Sequence, residues 1–222
     1  MKGILSVLAL LPALAVQAAD FTAGGASFVV PVTSLKEARF RGTVRQQYDF
    51  SCGSAALATL LSHHYDFPVT EQEIFRDMFA RGDQPRIRRE GFSLLDMKRY
   101  LATRGFTADG FEQALDKLAQ ARLPAIVLVA ENGYRHFVVI KGLQGQRVLL
   151  GDPAGGTRAL PRQAFEAIWQ NRLLFVIHGR PGTPHFNETA DWRVAPQAML
   201  AEGIVRDSLR DVTLPKLGAS DF

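Results

Sequence analysis

Cysteine is almost missing from this sequence: Cys52 is the only one in 222 residues. A lone cysteine cannot cross-link its own chain, so no intrachain disulfide frames this fold and a hydrophobic core must hold it. Long apolar runs are missing too. The run at residues 4–16 is about a dozen residues with Pro12 inside it, short of the roughly 20 that span a bilayer. No Gly-x-x-x-x-Gly-Lys-Ser/Thr stretch occurs, which removes the nucleotide phosphate loop, and there is no internal repeat or low-complexity tract. A large excess of one charge is also lacking, since 26 Lys and Arg stand against 22 Asp and Glu, a formal +4. Basic residues do gather at Arg81, Arg86, Arg88 and Arg89, but Asp83 and Glu90 lie among them and no aromatics alternate with them. That cluster is read as a solvated loop, and nucleic acid is excluded as a partner.

The chain opens with Met1-Lys2-Gly3, the short apolar run, then Gln17-Ala18-Ala19 before Asp20. A basic start, a short greasy centre and small residues at the exit make a signal peptide, cleaved after Ala18 or Ala19. No cysteine follows the run to carry a lipid, so the mature chain is expected to be soluble and periplasmic, without a transmembrane span. In such an oxidising compartment the unpaired Cys52 is a free thiol, which its neighbours must explain.

Four regions follow: a signal peptide at 1–19, an arm at 20–43, a folded domain at 44–179 and an extension at 180–222. The arm holds one strand-like run, Phe28-Val29-Val30. The Ala/Leu-rich stretch from Cys52 to about Tyr65 predicts a buried helix capped by Ser51. Thr70-Glu71-Gln72-Glu73 has the capping-box form and opens a second helix. Ser93 opens a third that stops at Gly105, and residues 112–121 predict a fourth. Short β-rich runs follow, at 125–129, 137–140 and 148–150, then a helical turn or two at 164–169 and a last strand at 173–177. Helices first and strands second make an α+β domain, with an antiparallel sheet packed on the early helix. The extension reads as an appendage with one amphipathic helix at 196–209.

Cys52 stands at the start of the first helix, where unpaired N–H groups and the helix dipole favour a thiolate and should lower its pKa. Gly53 leaves room for a substrate backbone. A thiolate nucleophile needs an imidazole, and five histidines are available. His63 and His64 lie about three turns along the same helix, roughly 16 Å away. His178 ends the last strand and His185 follows Pro184, both ordinary surface positions. His136, at the start of a strand, remains. A five-residue loop at 142–146, with Lys141 opposite Arg147, would set His136 opposite Asp152, whereas a two-residue loop would break that parity. Gln46 and Gln47, just upstream of Cys52, are candidate amide donors to an oxyanion.

At these residues the sequence resembles the bacteriocin-processing, double-glycine leader cysteine peptidases over residues 44–177. The likeness rests on Gln46 six residues before Cys52-Gly53, on Tyr134-Arg135-His136-Phe137-Val138-Val139-Ile140, and on Asp152-Pro153-Ala154-Gly155-Gly156 sixteen residues past the histidine; Phe165 and Trp169 fit the closing helix. It implies a papain-like fold with Cys52 as nucleophile, His136 as base, Asp152 as its orienter and Gln46, not Gln47, as oxyanion donor. It also implies a peptide bond cleaved after glycine, with no metal or cofactor. Exporter-borne members often carry aspartate where this chain has Ser51, and the membrane and nucleotide-binding parts are missing here. The chain is more similar to free-standing envelope members that accompany fimbrial or functional-amyloid secretion, whose polypeptide subunits are the implied substrates. The alternatives are a non-catalytic module that holds a secretion substrate, which typically lacks the cysteine, and another papain-like activity such as cell-wall peptide hydrolysis or transglutamination.

Mass spectrometry of the native protein is expected to give an N-terminus at Ala19 or Asp20, in the soluble envelope fraction. Met1 retained on that protein would overturn both the compartment and the reading of the lone thiol.

Overall fold

A computed structural model describes residues 18–23, 26–31, 33–179 and 182–195. Most of the expected signal segment and the expected helix at 196–209 lie outside the described residues. The described chain starts with an antiparallel pair, β1 (Ala18–Ala23) and β2 (Ala26–Pro31), so the expected cleavage site falls at the beginning of β1. A short α1 (Leu35–Arg39) follows.

The buried helix α2 (Cys52–His64) has the bounds its composition implies, with all of its first ten residues buried. Its start differs from expectation. Ser51 does not cap it: the hydroxyl donates to Tyr48 O at 2.9 Å and accepts from Tyr48 N at 3.1 Å, closing a turn before the helix instead. Helix α3 (Glu71–Arg81) carries the expected Thr70–Glu73 capping box, and α5 (Leu94–Thr103) a second one between Ser93 and Asp96. Between them the presumed arginine-rich loop is a helix, α4 (Gln84–Glu90). Asp83 caps it, Pro85 occupies its first turn and Arg86 pairs with Glu90 at 3.0 Å. With only Ile87 buried, it has no apolar stripe for a periodicity reading to find.

The fourth helix expected over 112–121 is α6 (Leu115–Ala121), with Leu115 and Leu118 buried, and it is preceded by an unanticipated edge strand, β3 (Thr107–Glu112). Then come β4 (Ala125–Glu131), β5 (Tyr134–Gln144), β6 (Arg147–Asp152), the unanticipated β7 (Gly156–Pro161), α7 (Arg162–Ile168), β8 (Leu173–His178) and α8 (Thr189–Arg193). Six strands form one antiparallel sheet in the order β3-β8-β4-β5-β6-β7. Both faces are covered, which explains why β4 and β5 read as continuous apolar runs rather than alternating ones. Ile126, Phe137, Val139 and Phe175 join the core of α2, α3 and α5. Val127, Val129, Val138, Val148 and Leu150 pack with Leu115, Leu118, Phe165, Trp169 and Phe186.

Residues 182–195 dock on the domain. Phe186 is buried in the second core, Asn187 accepts from Leu143 N at 2.7 Å, and Asp191 meets the fully buried Lys141 Nζ at 2.6 Å. His185 N donates to His64 O at 2.9 Å, and His64 Nδ1 lies 2.6 Å from His185 O.

Burial lowers the His64 pKa to about 3 against the hydrogen bond to His185 O, which acts to raise it. The unfolded imidazole titrates near 6.5, so this contribution to stability is full above about pH 6.5 and is lost as pH falls towards 3. Thermal melts of the full chain should fall by several degrees from neutral pH to about pH 4.5, and His64→Asn should flatten that slope. Parallel slopes would show that His64 does not contribute.

Candidate active site

The pairing of His136 with Asp152 is decided by strand register. The β5–β6 hairpin has a two-residue loop, Gly145-Gln146, with Gln144 opposite Arg147. That corrects the expected five-residue loop, and on its own it would send His136 and Asp152 to opposite faces. A β-bulge at Lys141, between the pairs Ile140–Leu150 and Gly142–Leu149, supplies the missing residue. Parity is restored, and Asp152 becomes a diagonal neighbour of His136 rather than its direct partner. His136 Nε2 lies 3.3 Å from Asp152 Oδ2, both side chains being buried.

The carboxylate divides its oxygens. Oδ1 accepts from Ala154 N at 2.9 Å and Gly155 N at 3.2 Å, making the strand-ending turn, while Oδ2 faces His136. Gly156 completes that turn at φ +79, where an added Cβ would meet the backbone of Arg39 at 2.9 Å. Burial opposes ionisation of Asp152, and the His136 hydrogen bond, Ala154 N–H and Arg158 outweigh it, so its pKa is lowered.

Cys52 is buried beside β5. Burial pushes its thiol pKa up; the Phe137 and Gly53 backbone N–H groups pull against this, and the Asp152 charge adds to the rise. The expected depression by the helix start is therefore outweighed by desolvation. His136 Nδ1, the nitrogen not used by Asp152, is buried and has no hydrogen-bond partner.

Gln46 and Gln47 separate clearly. Gln47 turns to α3, accepting from Gln72 Nε2 at 2.9 Å through its side chain. Gln46 N donates to Pro153 O at 3.1 Å, beside Asp152, and its Nε2 donates to Tyr48 O at 3.2 Å; its Oε1 is buried without a partner. The other histidines lie elsewhere: His178 pairs with Asp109 at 2.7 Å, and His185 with Asp66 at 3.0 Å.

Three neighbours of the site were given no role from the sequence, although Tyr134 stands in the motif that carries the resemblance. Tyr134 stacks on His136 with ring centroids 5.4 Å apart and donates to Asp49 O at 2.9 Å. Arg158 reaches Asp152 Oδ2 at 3.1 Å and Glu131 Oε1 at 3.1 Å. Tyr134 stands two residues from His136 on the same strand, a signal that was available; Glu131 and Arg158 become visible only with the register of four strands. Glu131, His136 and Asp152 bring one ligand atom each within 4.8 Å of one another, a spacing that suits a cation. The guanidinium of Arg158 already bridges the two carboxylates.

Gly53 also has a different purpose from the one expected. An added Cβ would meet Met97 Cε at 2.8 Å and Phe92 Cβ at 3.1 Å, so the glycine admits α5 and Phe92 rather than a substrate. Gly53→Ala is expected to cost about 1–3 kcal/mol by overpacking, seen as a lower Tm. Lost turnover at unchanged Tm would return the glycine to the substrate side.

Residues 41–180 match the Peptidase C39 family. The chain is 41% identical over 184 residues to a "Probable functional amyloid protease FapD" of Pseudomonas aeruginosa, covering 81% of each chain. A protein of the same name from Pseudomonas fluorescens is 42% identical over 156 residues, 70% of this chain and 69% of that one. Among solved structures, the peptidase domain of Streptococcus ComA, a bifunctional ABC transporter in quorum sensing, superposes with a TM-score of 0.52 at 19% identity, over 63% of this chain and 98% of that domain. A double glycine motif protease from an AMS/PCAT transporter, solved with its leader peptide, gives 0.50 at 24% identity, over 62% and 94%. The family match fits the helix-and-sheet order and the position of Cys52 at the head of α2: this chain belongs to the peptidase C39 family of papain-like cysteine peptidases.

Proposed function

We propose that this peptidase cleaves after glycine in an exported polypeptide through Cys52, His136, Asp152 and Gln46. The observation that carries the reading is the division of the His136 ring. Its Nε2 engages a carboxylate whose charge is favoured, and its Nδ1 is a buried, unpartnered acceptor. Phe137, the next residue, contributes a backbone N–H to the Cys52 thiol.

In the resting protein the thiol keeps its proton, because burial raises its pKa. On attack, the Sγ–carbon bond forms as the proton passes to His136 Nδ1. Asp152 holds the ring and stabilises its charge. The carbonyl oxygen becomes an oxyanion, for which Gln46 Nε2 exchanges its bond to Tyr48 O, together with the Cys52 backbone N–H. The amine leaves with the proton from His136, and water attacks the acyl-enzyme by the same route in reverse.

Cleavage after a double glycine is supported by the AMS/PCAT neighbour, named for that motif and solved with a leader peptide. An amyloid or fimbrial subunit as substrate, in the periplasm, is supported by the two relatives named as functional amyloid proteases and by the signal-like start of the sequence.

The roles separate by variant. Cys52→Ala should abolish turnover with Tm unchanged. Gln46→Ala should bind as before and lose about 10²–10³ in kcat. Asp152→Asn should fall between these two, and His136→Ala should remove the proton acceptor and most of the rate. All four variants folded and processing within about threefold of wild type, where one oxyanion donor is worth at least 10², would overturn the assignment. Comparing the envelope proteome with and without Cys52→Ala should name the substrate as an accumulating precursor.

A further inference from the structure

Four consecutive strands each contribute one charged or titratable side chain to a single row: Glu131 from β4, His136 from β5, Asp152 from β6 and Arg158 from β7. In the register, His136 is opposite Val129, two residues from Glu131; Arg158 is opposite Leu150, two residues from Asp152. The four therefore share one face of the sheet as successive diagonal neighbours.

Arg158 uses one guanidinium twice. Nη1 donates to Glu131 Oε1 at 3.1 Å, and Nη2 meets both Glu131 Oε2 and Asp152 Oδ2, the latter at 3.1 Å. Asp152 Oδ2 is the same oxygen that faces His136. Arg158 and Glu131 are both about 30% exposed, but Arg158 Nε is buried without a partner, so the guanidinium is held to this geometry by its two carboxylates.

We infer that Arg158 and Glu131 form a charge-balanced brace behind the His136–Asp152 pair, fixing the carboxylate and setting the net charge that the imidazole meets. This rests on the peptidase reading for its purpose, though not for its test. Arg158 alone would place an uncompensated cation behind Asp152 and weaken its hold on an imidazolium. Glu131 cancels that cation. Without Arg158, two carboxylates within 4.8 Å of a His136 nitrogen would hold the proton too tightly for the ring to give it up to the leaving amine. Tyr134, from the same strand, stacks on the ring and feels the charges of both Cys52 and Asp152, and Arg135 beside it is exposed to solvent. These are unchanged by substitution at the brace. Glu131 and Arg158 are thus positioning residues, acting through Asp152.

The test reads the His136 ring directly, by NMR titration of the full chain, alongside the pH dependence of kcat on a fluorogenic peptide ending in Gly-Gly. Arg158→Gln should move the ring titration and the acidic limb of kcat upward by about half a unit or more, and Glu131→Gln should move both downward. The double variant Glu131→Gln/Arg158→Gln, which restores neutrality, should return the titration close to wild type. Arg158→Lys keeps the charge but loses the two-pronged geometry, so it should leave the titration in place while kcat falls several-fold at unchanged KM. If Arg158→Gln does not fold, Glu131→Gln carries the test alone. Shifts in the same direction for the two single variants, or none in either, would overturn the brace. The ring titration needs no turnover, so failure of the peptidase reading shows separately, as activity retained by Cys52→Ala.

Discussion

One extra residue in one strand holds this site together. Side chains on a strand alternate between faces, so the two-residue loop after Gln144 would put His136 and Asp152 on opposite sides of the sheet. The bulge at Lys141 adds one residue and turns the whole N-terminal half of β5 over relative to β6. The bulged residue is itself used. Lys141 is fully buried, with Nζ 2.5 Å from Gly42 O and 2.6 Å from Asp191 Oδ1, so the irregularity that aligns the site also ties α8 to the segment before α2. Removing that lysine's partners would expose a buried cation, which is costly.

The sheet and α2 form a two-sided core around this register. Helix α2 is apolar on nearly all its faces because it is enclosed by β5 on one side and by α3 and α5 on others. Such a helix can hold Cys52 in place only if its neighbours come close, which is what Gly53 permits. Residues 182–195 then close the far end through His64, Phe186 and Asn187.

Burial has opposite outcomes at Asp152 and Cys52. For Asp152 it is offset by donors and by Arg158, and the carboxylate is favoured. For Cys52 it dominates, and the thiol form is favoured in the resting protein. The His136 imidazole has one nitrogen engaged by Asp152 and one without a hydrogen-bond partner. A buried acceptor left without a partner is destabilising on its own account, and sites that transfer protons are where such a group has a use. The guanidinium of Arg158 keeps two neighbouring carboxylates from raising one another's cost of ionisation.

The sequence by itself determined the elements whose signals are local. The capping boxes at Thr70 and Ser93, the buried helix beginning at Cys52 and the strands β4, β5, β6 and β8 follow from spacing and composition. Cys52, His136, Asp152 and Gln46 stood out through unpaired chemistry, elimination among histidines and family motifs. Tertiary structure decided what local signals do not encode. Helix α4 and strands β3 and β7 are too polar or too short to announce themselves, and form because a neighbour supplies their hydrogen bonds or one apolar contact. The raised thiol pKa reflects burial by residues distant in sequence, which outweighs the helix start. Above all, the loop length and the bulge at Lys141 were not legible. Parity depends on a single residue, and only the packing of both sheet faces, with Lys141 drawn to Gly42 and Asp191, makes one register lower in energy than the other.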